Sequence, residues 1–463
     1  MPAELESLPL SPVQAFSIDD SSTTEIDDAL SVQGMGSGRL VVGIHIAAPG
    51  LAFGPDTPVD QVAVQRLSTV YMPGHKLTML PDEVVQAYTL IEGRASAAVS
   101  LYVTLDETSL EIQGHETRLE RVHVQANLRH DQLEDVVTEE ALSAGPDSLQ
   151  NGAIAFHAEL AVLHRLARHL KARREVVRGK PETFNRPDYN FRLEGRDGTQ
   201  DEAPHGQETV IITERRRGSP LDLLVAELMI LANSTWGAWL AELGVPGIYR
   251  SQASMAPGIK VRMGTKPAPH AGMGVSHYTW ASSPLRRYVD LVNQWQVIAC
   301  ARHGRTAALA APFKPKDAQL FSVISAFDAA YTAYNDFQRG IERYWTLRWL
   351  QQQEVSELEA TVLKDGLVRS ETLPLVFKVA GAEPLPRGTR IIARLKGMDL
   401  LTLDLHAVLQ SRIEVQEVSD SQEDDEEDLS ASSVPLALAI DVSEADGDAA
   451  PAAASTASGA VEA

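Results

Sequence analysis

Two periods of apolar spacing run through this chain and divide it into element types. Residues 39–47 (Arg-Leu-Val-Val-Gly-Ile-His-Ile-Ala) and 97–105 are nearly unbroken apolar runs of strand length, and both predict buried strands. Residues 152–173 repeat their apolar positions at helical spacing. They end in a basic stretch, His164-Arg165, Arg168-His169, Lys171 and Arg173-Arg174. Residues 221–240 predict a long apolar helix. Ser282-Ser283-Pro284 reads as a cap and first-turn proline for a helix over 286–301. An aromatic-rich helix is expected over 326–353, and a loop over 195–206. Strands mixed with helices make the body, 14–352, an α+β domain, a mixed sheet with surrounding helices, behind a short extension, 1–13.

After residue 353 the pattern changes. Residues 375–379, 389–395 and 400–405 are short β-rich runs separated by Gly and Pro. About 60 residues of such strands suit a small OB-type barrel, expected over 353–415. Phe377 is its one strong stacking candidate, with His406 weaker, so its grip on RNA should be modest. From 416 to 463 the chain is acidic, then rich in Ala, Ser and Gly, a composition that predicts disorder. The apolar stretch 434–442 within it is a local fluctuation or a docking segment for an unidentified partner.

Composition adds limits. No run of about 18 apolar residues occurs, so no membrane span is expected. The acidic N-terminus lacks a signal-peptide pattern, and the single cysteine, Cys300, suits a reducing cytoplasm. Residues 417–463 hold 13 acidic and no basic side chains, so −13 of the net −22 lies there and the other 416 residues carry −9. A nucleic-acid partner is therefore disfavoured less than the total charge suggests, but its path must be locally basic.

The candidate chemistry lies in Asp19, Glu25, Asp27 and Asp28, four carboxylates within ten residues. If they converge they need a positive charge among them, for which Mg²⁺ or Mn²⁺ is the usual oxygen-preferring answer. Neighbouring residues of a flat strand point to opposite faces, so Asp27 and Asp28 cannot both face one metal from a strand. A loop anchored by Ile26 could aim several carboxylates at one point. Spacing alone fits a solvated acidic loop equally well.

The order of motifs goes further. Ser-Ile-Asp19, then Glu25-Ile-Asp27-Asp28-Ala, resembles the catalytic signature of the RNB domain of ribonuclease II and ribonuclease R. Val42-Gly-Ile-His45-Ile-Ala47, Arg66-Leu-Ser-Thr-Val-Tyr71-Met-Pro73 with Met79-Leu-Pro81, and Val225-Ala-Glu227-Leu-Met-Ile-Leu-Ala-Asn233 resemble further segments of that family. So do His270-Ala-Gly-Met-Gly274 and Tyr278-Thr-Trp-Ala-Ser-Ser-Pro284-Leu-Arg286-Arg287-Tyr288-Val-Asp290, in the family's order.

The resemblance implies a processive 3′→5′ exoribonuclease that hydrolyses single-stranded RNA to nucleoside 5′-monophosphates with Mg²⁺ or Mn²⁺, two ions acting during catalysis. It implies that Asp27 and Arg286 are catalytic, Arg286 on the scissile phosphate, and that Asp19, Glu25 and Asp28 are metal ligands. Glu25 stands where the family usually has Asp. Tyr71 is implied to stack near the RNA 3′ end, with Phe191 as a clamp from the other side. Glu227 is a candidate for the ribose 2′-hydroxyl, or else pairs with a neighbour such as Arg250. Arg287 is assigned to packing or the RNA backbone. Gln338 replaces a family glutamate and Ala48 a family aspartate. Too few residues precede Asp19 for the cold-shock modules of larger members, so a short form is expected, and the chain is expected to be monomeric. The alternative is a catalytically weakened RNA-binding protein on the same fold.

Overall fold

The computed structural model describes residues 3–144, 155–182, 188–195, 203–215 and 218–413. The acidic segment from 416 and its apolar stretch lie outside them.

Five strands close into a barrel in the first half: β1 (Ala15–Asp19), β2 (Asp28–Gln33), β3 (Arg39–Ala47), then β6 (Ala95–Asp106) and β7 (Ile112–Arg129). Between them a small hairpin forms from β4 (Val70–Met72) and β5 (His75–Leu77). Neighbouring barrel strands are antiparallel except β1 and β7, which close the barrel in parallel with a bulge at Ala15/Phe16. The near-continuous apolar runs have their reason here. β3 and β6 are buried along most of their length, one face inside the barrel and the other under helices.

The helices that matter are α1 (Pro58–Arg66), α2 (His157–Arg178), α3 (Pro220–Glu242), α4 (Tyr288–His303) and α5 (Ala318–Gln352). α3 has a full capping box between Ser219 and Asp222, with Pro220 at its first position. It is long and apolar enough to cross a membrane, yet 67% of its most apolar window is buried inside the protein. Leu221, Leu224, Leu228 and Leu240 are fully enclosed, each worth about 2–3 kcal/mol of burial. It is a core helix, and it carries Glu227 and Asn233 inward with partners for both.

The Ser283-Pro284 expectation is corrected. Pro284–Arg286 form a turn in which the N–H groups of Arg286 and Arg287 both bond to the Ser283 carbonyl. Arg287 is extended, bridges to Ser68, and α4 begins only at Tyr288 with no side-chain cap. The tertiary bridge overrides the local capping signal.

Two small sheets follow the barrel: β8 (Asp188–Glu194) with β9 (Thr209–Arg215), and β10 (Tyr249–Ser251) with β11 (Arg262–Gly264). Beyond α5, strands β12 (Glu357–Lys364), β13 (Leu367–Ser370), β14 (Val376–Ala380), β15 (Arg390–Asp399) and β16 (Asp404–Arg412) close a second barrel in the order β12-β13-β14-β16-β15. It has its own apolar core, into which α5 inserts Leu347 and Leu350. Arg343 of α5 donates to the carbonyls of Val376 and Leu403, at 2.8 Å each, and so joins helix to barrel. Phe377 is buried in that core and is no stacking platform.

Candidate active site

Barrel register brings the carboxylates together. Phe16 pairs with Leu30, so Ile18 comes level with Asp28, and Asp19 stands one step beyond at the same rim. The connecting loop is pinned by Ile26, which is buried. Its N–H bonds to Thr89 Oγ1 at 2.8 Å and its carbonyl accepts from Leu90 N. This anchor fixes which way each acidic side chain points.

Asp19 and Asp28 face one another across the rim. Burial, and then the charge of Asp28, pushes the Asp19 carboxyl up to about 8. Burial pushes Asp28 up to about 6, with Arg286 pulling against it. Asp19 Oδ2 is buried and makes no hydrogen bond. A buried carboxylate oxygen left without a donor beside a second carboxylate is a position that a cation satisfies.

Asp27, the last loop residue before β2, has partners of its own. Its Oδ1 accepts the Leu285 N–H at 2.9 Å and its Oδ2 lies 3.2 Å from Arg286 Nε. Burial pushes this carboxyl up, with Arg286 and the Leu285 N–H opposing. Arg286 Nη2 donates to Ser283 Oγ at 2.6 Å. The turn at 284–286 thus presents a backbone N–H and a guanidinium together to one carboxylate.

Glu25 is fully engaged elsewhere. Thr69 Oγ1 donates to its Oε1 at 2.8 Å, the Tyr71 hydroxyl to its Oε2 at 3.2 Å, and Lys76 Nζ sits 2.9 Å from Oε2. Its extra methylene carries the carboxylate across to the β4–β5 hairpin. Burial and Glu25 both push the Tyr71 hydroxyl up, which keeps it a donor. The Tyr71 N–H bonds to Gln338 Oε1 at 3.0 Å, so α5 fixes the height of this half-buried ring. Gln338, a departure from the family pattern, therefore acts on Tyr71 here.

Phe191 lies half-buried on β8, on the same face as Leu193. The Leu193 methyl fills the space a side chain at Gly74 would take, at the tip of the hairpin that carries Tyr71. Gly74 has φ +71, so its glycine is required twice over.

Two of the RNA candidates lie in internal ion pairs. Glu227 is buried, and both its oxygens are taken by Arg174, Oε2 at 2.9 Å from Nε. It is a structural ion pair, 2% exposed and so shut off from a 2′-hydroxyl, and its partner is Arg174. Arg250 instead stacks on the Trp280 ring, 3.8 Å from its centroid. Arg287, 1% exposed, lies over the same ring at 4.2 Å and pairs with Asp290 at 2.8 Å. It packs and meets no solvent. The Arg174 carbonyl also explains Gly274. A Cβ there would sit 2.4 Å from it, and φ is +66.

Sequence reasoning missed Lys76, Thr69 and the Leu285 N–H. Lys76 had a signal: Pro-Gly between Tyr71 and Lys76 predicts a hairpin that sets the two residues opposite each other, as found. The other two depend on contacts 44 and 258 residues apart.

The RNB domain model matches residues 8–260 and 259–303. The chain belongs to the RNB family. An uncharacterized ribonuclease of Synechocystis is 26% identical over 85% of this chain and 58% of its own length. Exoribonuclease 2 of Edwardsiella piscicida is 27% identical over 60% of this chain and 48% of its own. The chain thus spans about half the length of these curated relatives. Among solved structures, an active-site mutant of the Dss1 exoribonuclease from Candida glabrata superposes with TM-score 0.71 at 21% identity, covering 88% of this chain and 56% of that one. Mycoplasma genitalium RNase R, in complex with ribose-methylated single-stranded RNA, gives 0.70 at 14% identity over 89% and 73%. Yeast Ssd1, described as a pseudonuclease, gives 0.56 at 18% over 86% and 54%. The α+β fold is therefore that of RNB proteins, with a closed five-stranded barrel at its C-terminal end. Nuclease and inactive forms both occur on it.

Proposed function

We propose that this RNB protein is a 3′→5′ exoribonuclease that hydrolyses single-stranded RNA processively to nucleoside 5′-monophosphates with Mg²⁺ or Mn²⁺. The observation that carries the reading is the arrangement at the barrel rim. Asp19 and Asp28, with a buried undonated oxygen, stand beside an Asp27 held by Arg286 and the Leu285 N–H.

Asp19 and Asp28 fit a divalent cation. Among the described residues no cluster of three or more acidic, His or Cys side chains forms a ready metal cage. Mg²⁺ does not need one, since it commonly binds one or two carboxylates, with water and phosphate completing its shell. When bound, such an ion supplies charge to the phosphate oxygens and makes the attacking water more acidic. The protein's own groups do the rest. Asp27, its basicity raised by burial, takes a proton from the attacking water. Arg286 holds Asp27 in line and offsets negative charge that builds on the phosphate. Tyr71, fixed by Gln338 and Glu25, offers a ring on which any base can stack, as a sequence-tolerant nuclease requires.

The test uses 5′-labelled single-stranded RNA. Mg²⁺-dependent shortening from the 3′ end with release of 5′-monophosphates supports the reading. Nucleoside diphosphate products, or cleavage of a circular RNA, would sink it. A second reading, an RNA-binding protein that no longer cleaves, is favoured by one observation: Glu25 and Gln338, both departures from the family pattern, both bond to Tyr71, and neither hydrogen-bonds to Asp19, Asp27 or Asp28. RNA binding without metal-dependent shortening would establish it.

A further inference from the structure

Lys76 lies where neither the sequence pattern nor the metal chemistry calls for a cation. It is paired with Tyr71 across the hairpin, and Nζ reaches over to Glu25 Oε2 at 2.9 Å and Thr24 Oγ1 at 2.5 Å. Glu25 is 1% exposed and Lys76 28% exposed at the side chain, so the ammonium plugs the carboxylate from the solvent side. With Thr69 and Tyr71 also donating, both Glu25 oxygens are occupied by protein hydrogens. Asp19, at the same rim, shows the opposite state, with an oxygen that nothing donates to.

We propose that Lys76 is a built-in cation that replaces a metal ion at Glu25. It locks this carboxylate to the β4–β5 hairpin and keeps it out of metal coordination. The protein without RNA then binds one divalent ion, on Asp19 and Asp28, with Glu25 already neutralised. The physical reason is competition for charge. An ammonium within hydrogen-bond distance of a buried carboxylate removes both the lone pairs and the net negative charge that would draw a second cation. The longer side chain of Glu25 makes this possible, because its carboxylate reaches the hairpin. This inference rests on the metal-dependent reading above, but not on turnover.

The experiment counts Mn²⁺ bound by the full chain, from the electron paramagnetic resonance signal of the free ion, with no RNA present. Carboxylates of the acidic segment are the same in every variant and cancel in the differences. Lys76→Met is expected to bind one Mn²⁺ more than the parent, because Glu25 is released. Lys76→Arg should match the parent, and so should Lys76→Met combined with Glu25→Gln. Glu25→Gln alone should lose no ion. That arm needs no change at Lys76, so misfolding of Lys76→Met does not remove the test. Loss of an ion in Glu25→Gln would overturn the proposal, as would an unchanged count in folded Lys76→Met. Asp19→Asn separates the two readings. It should lose one ion, and if it loses none the metal site of the proposed function fails together with this inference. If the counts hold but RNA is not shortened, only the nuclease reading fails.

Discussion

Replacing Asp19 by Asn should stabilise the metal-free protein, and increasingly so as pH rises. Burial and Asp28 lift the Asp19 carboxyl from 3.8 to about 8. Between these values the folded chain keeps a proton that the unfolded chain releases. Stability from this group is therefore complete below about pH 4 and is lost as pH rises toward about 8. At pH 7 the cost is about three pH units at 1.36 kcal/mol each, or about 4 kcal/mol. Asp19 keeps some solvent contact, and screening trims the figure to about 2 kcal/mol. Asn keeps the shape and removes the titration, so in chelator at pH 8 Asp19→Asn should melt about 3 °C or more above the parent. At pH 4 the difference should nearly vanish. Added Mn²⁺ should reverse the order, since it stabilises only the form that binds it. Thermal melts at both pH values, with and without metal, measure all of this. A variant that melts below the parent in chelator at pH 8, or a difference independent of pH, would refute the reasoning.

Two further outcomes are expected. Asp27→Asn keeps an acceptor for the Leu285 N–H but loses the base, so RNA shortening should fall by about 10²–10⁴-fold while RNA binding persists; unchanged cleavage would remove Asp27 from the chemistry. Arg174→Met leaves Glu227 buried without its counter-charge and should cost about 3–5 kcal/mol by urea unfolding, much of it recovered by adding Glu227→Gln; a loss under about 1 kcal/mol would show that water reaches the pair.

Much of the site was legible because its chemistry is local. Asp19, Ile26, Asp27 and Asp28 lie within ten residues, on one strand end and the loop that leads into the next strand. The long helices and the strand over 39–47 followed from apolar spacing, since burial of one face is written into the order of residues. Assignments made one side chain at a time were weaker. Glu227 and Arg287 occur within segments that resemble functional motifs, but their neighbours turned both into internal ion pairs. A buried charge takes whichever partner the fold supplies, and spacing in sequence does not name that partner.

The sequence by itself determined the family, the carboxylate cluster and the two element periods. Tertiary structure alone decided which oxygen lacks a donor, that Arg286 and Leu285 meet on Asp27 from 258 or more residues away, and that Glu25 belongs to Lys76. The reason is physical. Propensity and periodicity act over a few residues, whereas desolvation and charge pairing depend on what closing the barrel, and packing the turn and hairpin against it, bring within about 3 Å.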